Sequence, residues 1–523
     1  MNSDHRHGSS RTGEFGMNDE EHKVVGFIDI GTNSIHILVV KFFGDAMGTP
    51  IFQDKESVRL GQNLFKQGSI DKETIEKTRL VISRFVKISK DMGAEMIIAY
   101  ATCAAREASN RKELLDAINT EGLDVKVISG LEEARLIRLG LFGPAGPERR
   151  TLGIDIGGGS TEIILCKGAE DLYLDSLSIG AVRFAYSGIV EQSKGMTFGD
   201  YDFLRRQVDL MSHRACRRIG EIGFEKAYGS SGTMIALAEM CAAKRGDNDS
   251  SYMMYYELVE LMKDLYSKGL DDRKDIEGMN PARADIIVSG GAIAEELMYL
   301  LGIDRIEISS NGLKQGMEID YLLNNGHSNF NVKDSSVRSL ANRCSYDQTH
   351  AETVQRNALR LFDLMKGEGM HSMDDEMRML LSYASFLHDV GEFISYNKHH
   401  IHSYTIILNS YLPGFVDEEL KIMALLAKFH HKKFPGVDSK YFRDMDAEEV
   451  DSILKCAMIL KMADIFDRHR TSSIDGLEIE VRDGSMELKL VSEHDLSMEM
   501  WKLKTIKDDF ERVFGVSLKV LRS

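Results

Sequence analysis

Asp29-Ile-Gly-Thr-Asn-Ser34 and Asp155-Ile-Gly-Gly-Gly-Ser-Thr-Glu162 decide how this chain folds. Each follows a β-branched, apolar run (Val24 to Ile30; Leu152 to Ile156), and each is followed by another (Ile35 to Val40; Ile163 to Leu165). Strand, small-residue turn, strand is the pattern of a β-hairpin tip. Glycines and hydroxyl residues at such a tip let backbone N–H groups approach an anion closely, as phosphate-cradling loops do. An aspartate ending the first strand is placed to hold a divalent cation or its water shell beside that phosphate. Neither tip is a Walker loop, which needs Lys-Ser/Thr and a following helix. Neither is a dinucleotide fingerprint, which also runs into a helix. One such tip alone reads as a tight hairpin. Two with the same Asp-Ile-Gly opening predict two related half-domains facing each other across a phosphate-binding cleft.

At 523 residues the chain is too long for one core, and two to four domains are expected. A hydrophobic content of 43% with 28% charged residues is that of a soluble globular protein. No stretch approaches the ~20 apolar residues that span a bilayer. The N-terminus lacks the basic-then-apolar layout of a secretion signal. A cytoplasmic protein without membrane insertion is expected. Residues 1–22, polar and rich in Gly, His and Ser, read as a flexible N-terminal extension, with Met17 as an alternative start. The cysteines (103, 166, 216, 241, 344, 456) are scattered and read as buried small residues in a reducing compartment. The net charge of −17 argues against nucleic-acid binding, which wants a basic face. It does not exclude a polyanionic substrate, because a cleft lined by local positive groups focuses its own field.

Alternating strands and helices predict an α/β region divided into residues 23–147 and 148–325, with Gly143-Pro-Ala-Gly-Pro147 as the joint. Asn324 to Ser336 is polar and reads as a linker. Residues 336–473 have a helical pattern, and residues 474–523 read as a small α+β unit that caps the chain. Within it, Leu477 to Val481 and Met486 to Leu490 alternate as strands around Asp483-Gly484, followed by a helix through Trp501 and Phe510 and a last strand at Val516 to Leu521.

Further segments occur in a fixed order: Tyr100-Ala-Thr-Cys-Ala-Ala-Arg-Glu-Ala-Ser-Asn110, Ile128-Ser-Gly-Leu-Glu-Glu-Ala-Arg-Leu-Ile137, Ser178-Ile-Gly-Ala-Val-Arg183, Gly229-Ser-Ser-Gly-Thr233 and Asn311-Gly-Leu-Lys-Gln-Gly316. With the two tips, they make the chain resemble the exopolyphosphatase/guanosine pentaphosphate phosphohydrolase family from Val24 to the C-terminus. That family is a branch of the actin, Hsp70 and sugar-kinase superfamily. The resemblance implies a duplicated actin-like (ribonuclease H-like) α/β fold, followed by an all-α HD-like domain and the small α+β unit. It also implies a homodimer.

Glu132 and Glu133 follow the turn Ser129-Gly-Leu and open an apolar-periodic helix. A carboxylate in a first helical turn is favoured in its ionised form and can accept a proton from water. Both could equally be ordinary helix-start acids; the resemblance singles out Glu133 as the general base. Glu162 closes the second tip as a catalytic water-positioning group or metal ligand, and Asp155 is placed to share its ion. Asp29 either does the same from the first tip or stabilises its turn. The resemblance puts Arg106 on the terminal phosphate, where a guanidinium grips two oxygens; without it, Arg106 reads as a surface helix residue. Asn33, Ser34, Gly157, Gly158, Gly159, Ser160 and Thr161 form the expected phosphate cradle. The turns Gly229 to Met234 and Ser289-Gly-Gly-Ala292 read as structural. The expected cofactor is Mg²⁺ or another divalent cation.

His350, His388-Asp389 and Asp464 follow the metal-ligand order of HD-type phosphohydrolases, and stand as a second candidate metal site or a relic of the fold. Around them lie Lys398, His399, His400, His402, Lys428, His430, His431, Lys432 and Lys433, either a solvated face or a positive track for a long polyanion. The resemblance implies an exopolyphosphatase releasing orthophosphate from the end of inorganic polyphosphate. The alternatives are removal of the terminal phosphate of guanosine pentaphosphate, hydrolysis at the HD site, or a nucleotide-sensing actin-like protein without catalysis.

Overall fold

The computed structural model describes the whole chain except residues 1–21, 44–46, 120, 189–192, 247–248, 326–330, 411, 433, 444, 472–473 and 523. The first half is a five-stranded sheet: β1 (His22–Ile30), β2 (Ser34–Phe43), β3 (Thr49–Ser57), β4 (Met96–Ala101) and β5 (Val125–Val127). Its order is β3-β2-β1-β4-β5, with β1–β2 and β2–β3 antiparallel and β1–β4 and β4–β5 parallel. The second half has β6 (Thr151–Ile156), β7 (Thr161–Lys167), β8 (Glu170–Leu177), β9 (Lys226–Ser230), β10 (Tyr252–Met254) and β11 (Arg305–Ile308). Its order, β8-β7-β6-β9-β11-β10, repeats the first sheet strand for strand and in the same directions, with β10 added at the edge. The duplicated plan is therefore present in full.

Both Gly-rich segments are hairpin tips, and their internal geometry matches. Gly31 N–H donates to the Ser34 carbonyl at 3.1 Å, and Gly157 N–H to the Ser160 carbonyl at 3.0 Å. Parallel strands need crossover helices, which cover both faces of each sheet and bury its apolar runs. One of them, Gly130–Phe142, is capped by Ser129, whose side chain accepts from Glu132 N–H. It lies backbone to backbone on the helix Leu313–Asn324, because Gly140 and Gly316 have no side chain. A Cβ on Gly316 would lie 1.8 Å from the Leu136 carbonyl oxygen. That close crossing sets Glu133 and Lys314, one on each helix, on the same cleft.

The helical region begins at Val332, inside the stretch read as a linker: Asn331 caps the helix Val332–Arg343 by accepting from Asp334 N–H. At the C-terminal end, β12 (Gly476–Arg482) and β13 (Ser485–Val491) form the expected hairpin, and Asp483 and Gly484 both take positive φ (49° and 72°) in its turn. The last strand, β14 (Ser517–Arg522), pairs parallel to β13. The helix read through Trp501 and Phe510 is two helices, Ser497–Lys504 and Lys507–Phe514, broken at Thr505-Ile506, so that Leu503, Ile506 and Phe510 all reach the interior. The small unit does not sit apart as a cap. Leu488, Leu490, Phe510 and Leu518 belong to one continuous core with the helical region. Among the described residues no helix is long and apolar enough to cross a membrane.

Candidate active site

Strand register decides which side chains face the cleft. In the first half Asp29 pairs with His36, and His36 with Lys55, so the three form a row across β1, β2 and β3. In the second half Asp155 pairs with Glu162 and Ser230, and Glu162 with Ser176. These rows are the same row in the two copies. Ser230 Oγ donates to Asp155 Oδ2 at 2.5 Å and Ser176 Oγ to Glu162 Oε1 at 2.7 Å.

Between the tips lies a cavity of about 270 Å³, lined by Asp29, Asn33, Ser34, Glu133, Asp155, Gly157, Gly158, Gly159 and Ser160 among others. The second tip is built to present N–H groups. The Gly157 and Gly158 carbonyls accept from Ala181, Val182 and Arg183 N–H, and the Gly159 carbonyl accepts from Arg183 Nε at 2.7 Å. With its carbonyls drawn to that helix start and the Gly157 amide donating to Ser160, the tip leaves its remaining amides for an anion. The tips also touch: a Cβ on Gly159 would lie 2.5 Å from Cys103 Sγ and 2.8 Å from Thr32 Oγ1. Only glycine fits there.

Four carboxylates converge and are buried together. Burial pushes Asp29 up to about 7, with repulsion from Glu133 adding to it, and Asp155 up to about 6. Glu162 is raised well above the ordinary range by burial and then by Glu133 and Asp155. Burial also raises Glu133, against the opposing pull of Arg106. Facing them are three cations, Lys55, Lys314 and Arg283. Each is lowered chiefly by burial, Lys55 to about 8. Asp29 Oδ1 is buried with no hydrogen-bond partner. An orphaned oxygen among buried carboxylates is the donor set of a hard divalent cation, and the residues present fit one.

Several expectations change here. Thr161 leaves the cradle: its hydroxyl donates to the Ile179 carbonyl at 2.8 Å, and the residue is fully buried behind the tip. Glu162 is likewise behind the cavity wall, held by Ser176. Arg106 is neither on the surface nor turned into the cavity. Its Nη1 donates to Glu133 Oε2 at 2.7 Å and to the Ile128 carbonyl at 3.0 Å. The Gly229 to Met234 turn is part of the site, since Ser231, Gly232 and Thr233 line the cavity and Ser231 takes a φ of 84°. The Ser289-Gly-Gly-Ala292 segment is packing inside the helix Ile287–Leu301. Glu132 is an ordinary helix-start acid, paired with Arg135 at 2.8 Å. Missed entirely were His36, Lys55 and Arg283, which carry no local motif. Lys314 stood inside the quoted Asn311 to Gly316 segment, where a lysine between glycines was its signal.

The second constellation also assembles: the Nε2 atoms of His350 and His388 each lie within 3.8 Å of both Asp389 and Asp464. The positive track assembles only in part, with Lys398 and Lys432 exposed. His399, His400 and His430 are buried, His399 and His430 face Asp389, and Lys428 lies over the rings of Tyr404 and Tyr441. Lys433 lies outside the described residues.

The pattern of the Ppx/GppA phosphatase family matches residues 39–325, and that of its domain III matches residues 332–507. The chain belongs to the Ppx/GppA phosphatase family. It is 29% identical over 476 residues to a guanosine-5'-triphosphate,3'-diphosphate pyrophosphatase of Aeromonas hydrophila subsp. hydrophila, covering 89% of this chain and 92% of the relative. A protein of the same description from Aeromonas salmonicida is 30% identical over 407 residues, covering 76% and 79%. Among solved structures, an exopolyphosphatase from Cytophaga hutchinsonii matches with a TM-score of 0.53 at 28% identity, covering 57% of this chain and 98% of that one. The Ppx/GppA α/β region has the actin-like fold, and the protein is a hydrolase of phosphoanhydride bonds.

Proposed function

We propose that this Ppx/GppA phosphatase is an exopolyphosphatase that removes terminal orthophosphate from inorganic polyphosphate with a divalent cation, magnesium, in the cleft. The carrying observation is the wall of Lys55, Lys314 and Arg283 opposite the carboxylates, with no Phe, Tyr or Trp among the described residues of the cavity lining to receive a base. At Ser310, Asn311, Lys314 and Gln315 the cleft continues into a groove of about 1180 Å³, which carries Lys440 and Arg443 and leads along the helical region. A linear polyanion suits that path. The tip amides and Ser34 hold the terminal phosphate, and the three cations offset the charge that builds on the departing chain. Glu133 takes the proton of the attacking water through the carboxylate oxygen that Arg106 leaves open. Arg106 fixes its direction. Asp29 and Asp155 would hold the cation, which when bound would neutralise phosphate oxygens as a Lewis acid, and Glu162 would add negative charge from behind the cavity wall.

Removal of the terminal phosphate of guanosine pentaphosphate is the second reading. The two Aeromonas relatives favour it, and Phe52, Tyr404 and Tyr441 on the adjoining groove offer surfaces for a guanine ring. Orthophosphate release from long polyphosphate and from guanosine pentaphosphate, measured on one preparation, tests the choice. A kcat/KM at least about tenfold higher for polyphosphate, a difference of about 1.4 kcal/mol, supports the first reading; the reverse ratio replaces it with the second.

A further inference from the structure

The helical region gathers six side chains that the sequence spreads from His350 to Asp464. Four are histidines, and all four are held in the same way. His350 Nδ1 lies 2.8 Å from Asp467 Oδ2, His388 Nδ1 2.8 Å from the Ser385 carbonyl, His399 Nδ1 3.1 Å from the Tyr396 carbonyl and His430 Nδ1 2.6 Å from the Ala427 carbonyl. Carbonyls and carboxylates only accept, so each Nδ1 carries the hydrogen and each ring turns its Nε2 inward, the atom left to bind a metal.

The inward Nε2 atoms sort onto the two oxygens of one carboxylate. Asp389 Oδ2 is 3.5 Å from His388 Nε2 and 3.7 Å from His350 Nε2; Asp389 Oδ1 is 3.4 Å from His399 Nε2 and 3.6 Å from His430 Nε2. Asp464 Oδ1 joins the first group, 3.7 Å from His388 Nε2 and 3.8 Å from His350 Nε2. Most of these gaps are too long for good hydrogen bonds. They are the separations of donors that share an ion ~2.0–2.2 Å from each. Independently, His388 Nε2 and Asp389 Oδ1 are buried with no hydrogen-bond partner, and His388 has no solvent exposure.

We propose that this is a two-metal site bridged by Asp389. His350, His388, Asp464 and Asp389 Oδ2 take one ion; His399, His430 and Asp389 Oδ1 take the other. Mixed imidazole and carboxylate donors suit Mn²⁺, Fe²⁺ or Zn²⁺ better than Mg²⁺. Two ions bridged in this way lie ~3.5–4 Å apart, the spacing that clamps a phosphoryl group. The site opens into a cavity of about 280 Å³ bordered by Tyr396, Arg468 and Arg470. Arg470 Nη2 is 3.2 Å from Asp389 Oδ2 and 2.8 Å from Glu392 Oε1, which balances the bridging carboxylate. Two metal ions facing two guanidiniums select an anion, and the ligand class is a phosphate ester or anhydride. The site is separate from the α/β cleft and does not rest on the polyphosphate reading.

Metal content tests it on the full chain. The protein is loaded with Mn²⁺, desalted in excess Mg²⁺ and assayed by mass spectrometry and electron paramagnetic resonance. The expected result is about two ions per chain with an exchange-coupled signal. His430→Gln should keep one ion and give an uncoupled six-line signal, while Asp389→Asn should lose both. Retention of a single ion that His430→Gln does not affect overturns the bridge, and loss of all metal from the wild type overturns the site. Circular dichroism checks each variant's fold; His399→Gln repeats the test if His430→Gln unfolds. With Co²⁺ bound, orthophosphate should shift the visible spectrum, and Arg468→Ala should raise the concentration needed at least about tenfold. No shift in the wild type overturns the ligand class.

Discussion

Arg106 and Glu133 come from separate strand-to-helix junctions of the first half, yet Arg106 Nη1 donates to Glu133 Oε2 at 2.7 Å. β4 runs into the helix Cys103–Glu107, and β5 is followed by the helix Gly130–Phe142. The two strands are parallel neighbours, so both helices start at the same sheet edge, beyond the strands' carboxyl ends. The guanidinium holds this buried carboxylate in one orientation, with the Thr102 hydroxyl as a second partner.

Glu133→Gln should therefore lower orthophosphate release by ~10²–10⁴ while polyphosphate binding persists, because the amide keeps the shape and loses the basicity. Glu132→Gln, which removes only a surface partner of Arg135, should stay near wild type. Phosphate release by Glu133→Gln within about threefold of wild type would remove it from the chemistry.

Protonation of the cleft should show in stability. Asp29 and Asp155 titrate at about 7 and about 6 when folded, and near 4 when unfolded. Between those values the folded chain binds more protons than the unfolded one, so stability falls as pH rises through the window. Thermal unfolding of cation-free protein should show a falling midpoint from about pH 5 to about pH 7.5, and Asp29→Asn should flatten the fall. Added Mg²⁺ should raise the midpoint more at the alkaline end, where the carboxylates are free to bind it. A midpoint independent of pH in this range contradicts the buried-carboxylate cluster.

Gly159→Ala places a methyl group against Cys103 Sγ and Thr32, on the other half of the cleft. Overpacking of this kind costs ~1–3 kcal/mol, and here it wedges the tips apart. Turnover should drop by at least about tenfold, with partial recovery in Gly159→Ala, Cys103→Gly. Full activity in the single variant would mean that the tips do not meet during catalysis.

Lys314→Met and Lys55→Met should each raise KM for polyphosphate and flatten its dependence on salt, since each removes one neutralised phosphate from the bound chain. Steady-state kinetics across a salt series measures the slope. An unchanged slope would show that these lysines serve only to balance Asp29.

The tips were readable because strand, glycine and hydroxyl signals are local. Helical phase separates Glu133 from Glu132: Glu133 shares its face with Ile137, which lines the cavity, whereas Glu132 turns to Arg135. His36, Lys55 and Arg283 were not readable, since register between strands and contact between halves place them. The histidine pairs misled for a related reason. His399-His400 begins one helix and His430-His431 follows another, and adjacency to lysines resembles a charged surface. Packing turns these rings inward, which no run of neighbouring residues encodes.

Asn311, just before the helix that carries Lys314, donates its Nδ2 to the Phe415 carbonyl at 2.8 Å. Directly after Phe415 and Val416 comes the helix Asp417–Phe429, 13 residues and about 20 Å long, and directly after that comes His430. Its first turn is pinned to the α/β region through Glu418 with Lys226, and its second through Lys421 with Asp249. The helix is thus a stiff rod with the Asn311 segment, which leads into the cleft's Lys314 helix, at one end and the histidine cluster at the other. A shortened chain that ended before Val332 would cut the rod away and leave the Asn311 amide without its acceptor. An axial slip of the rod is felt at both ends at once.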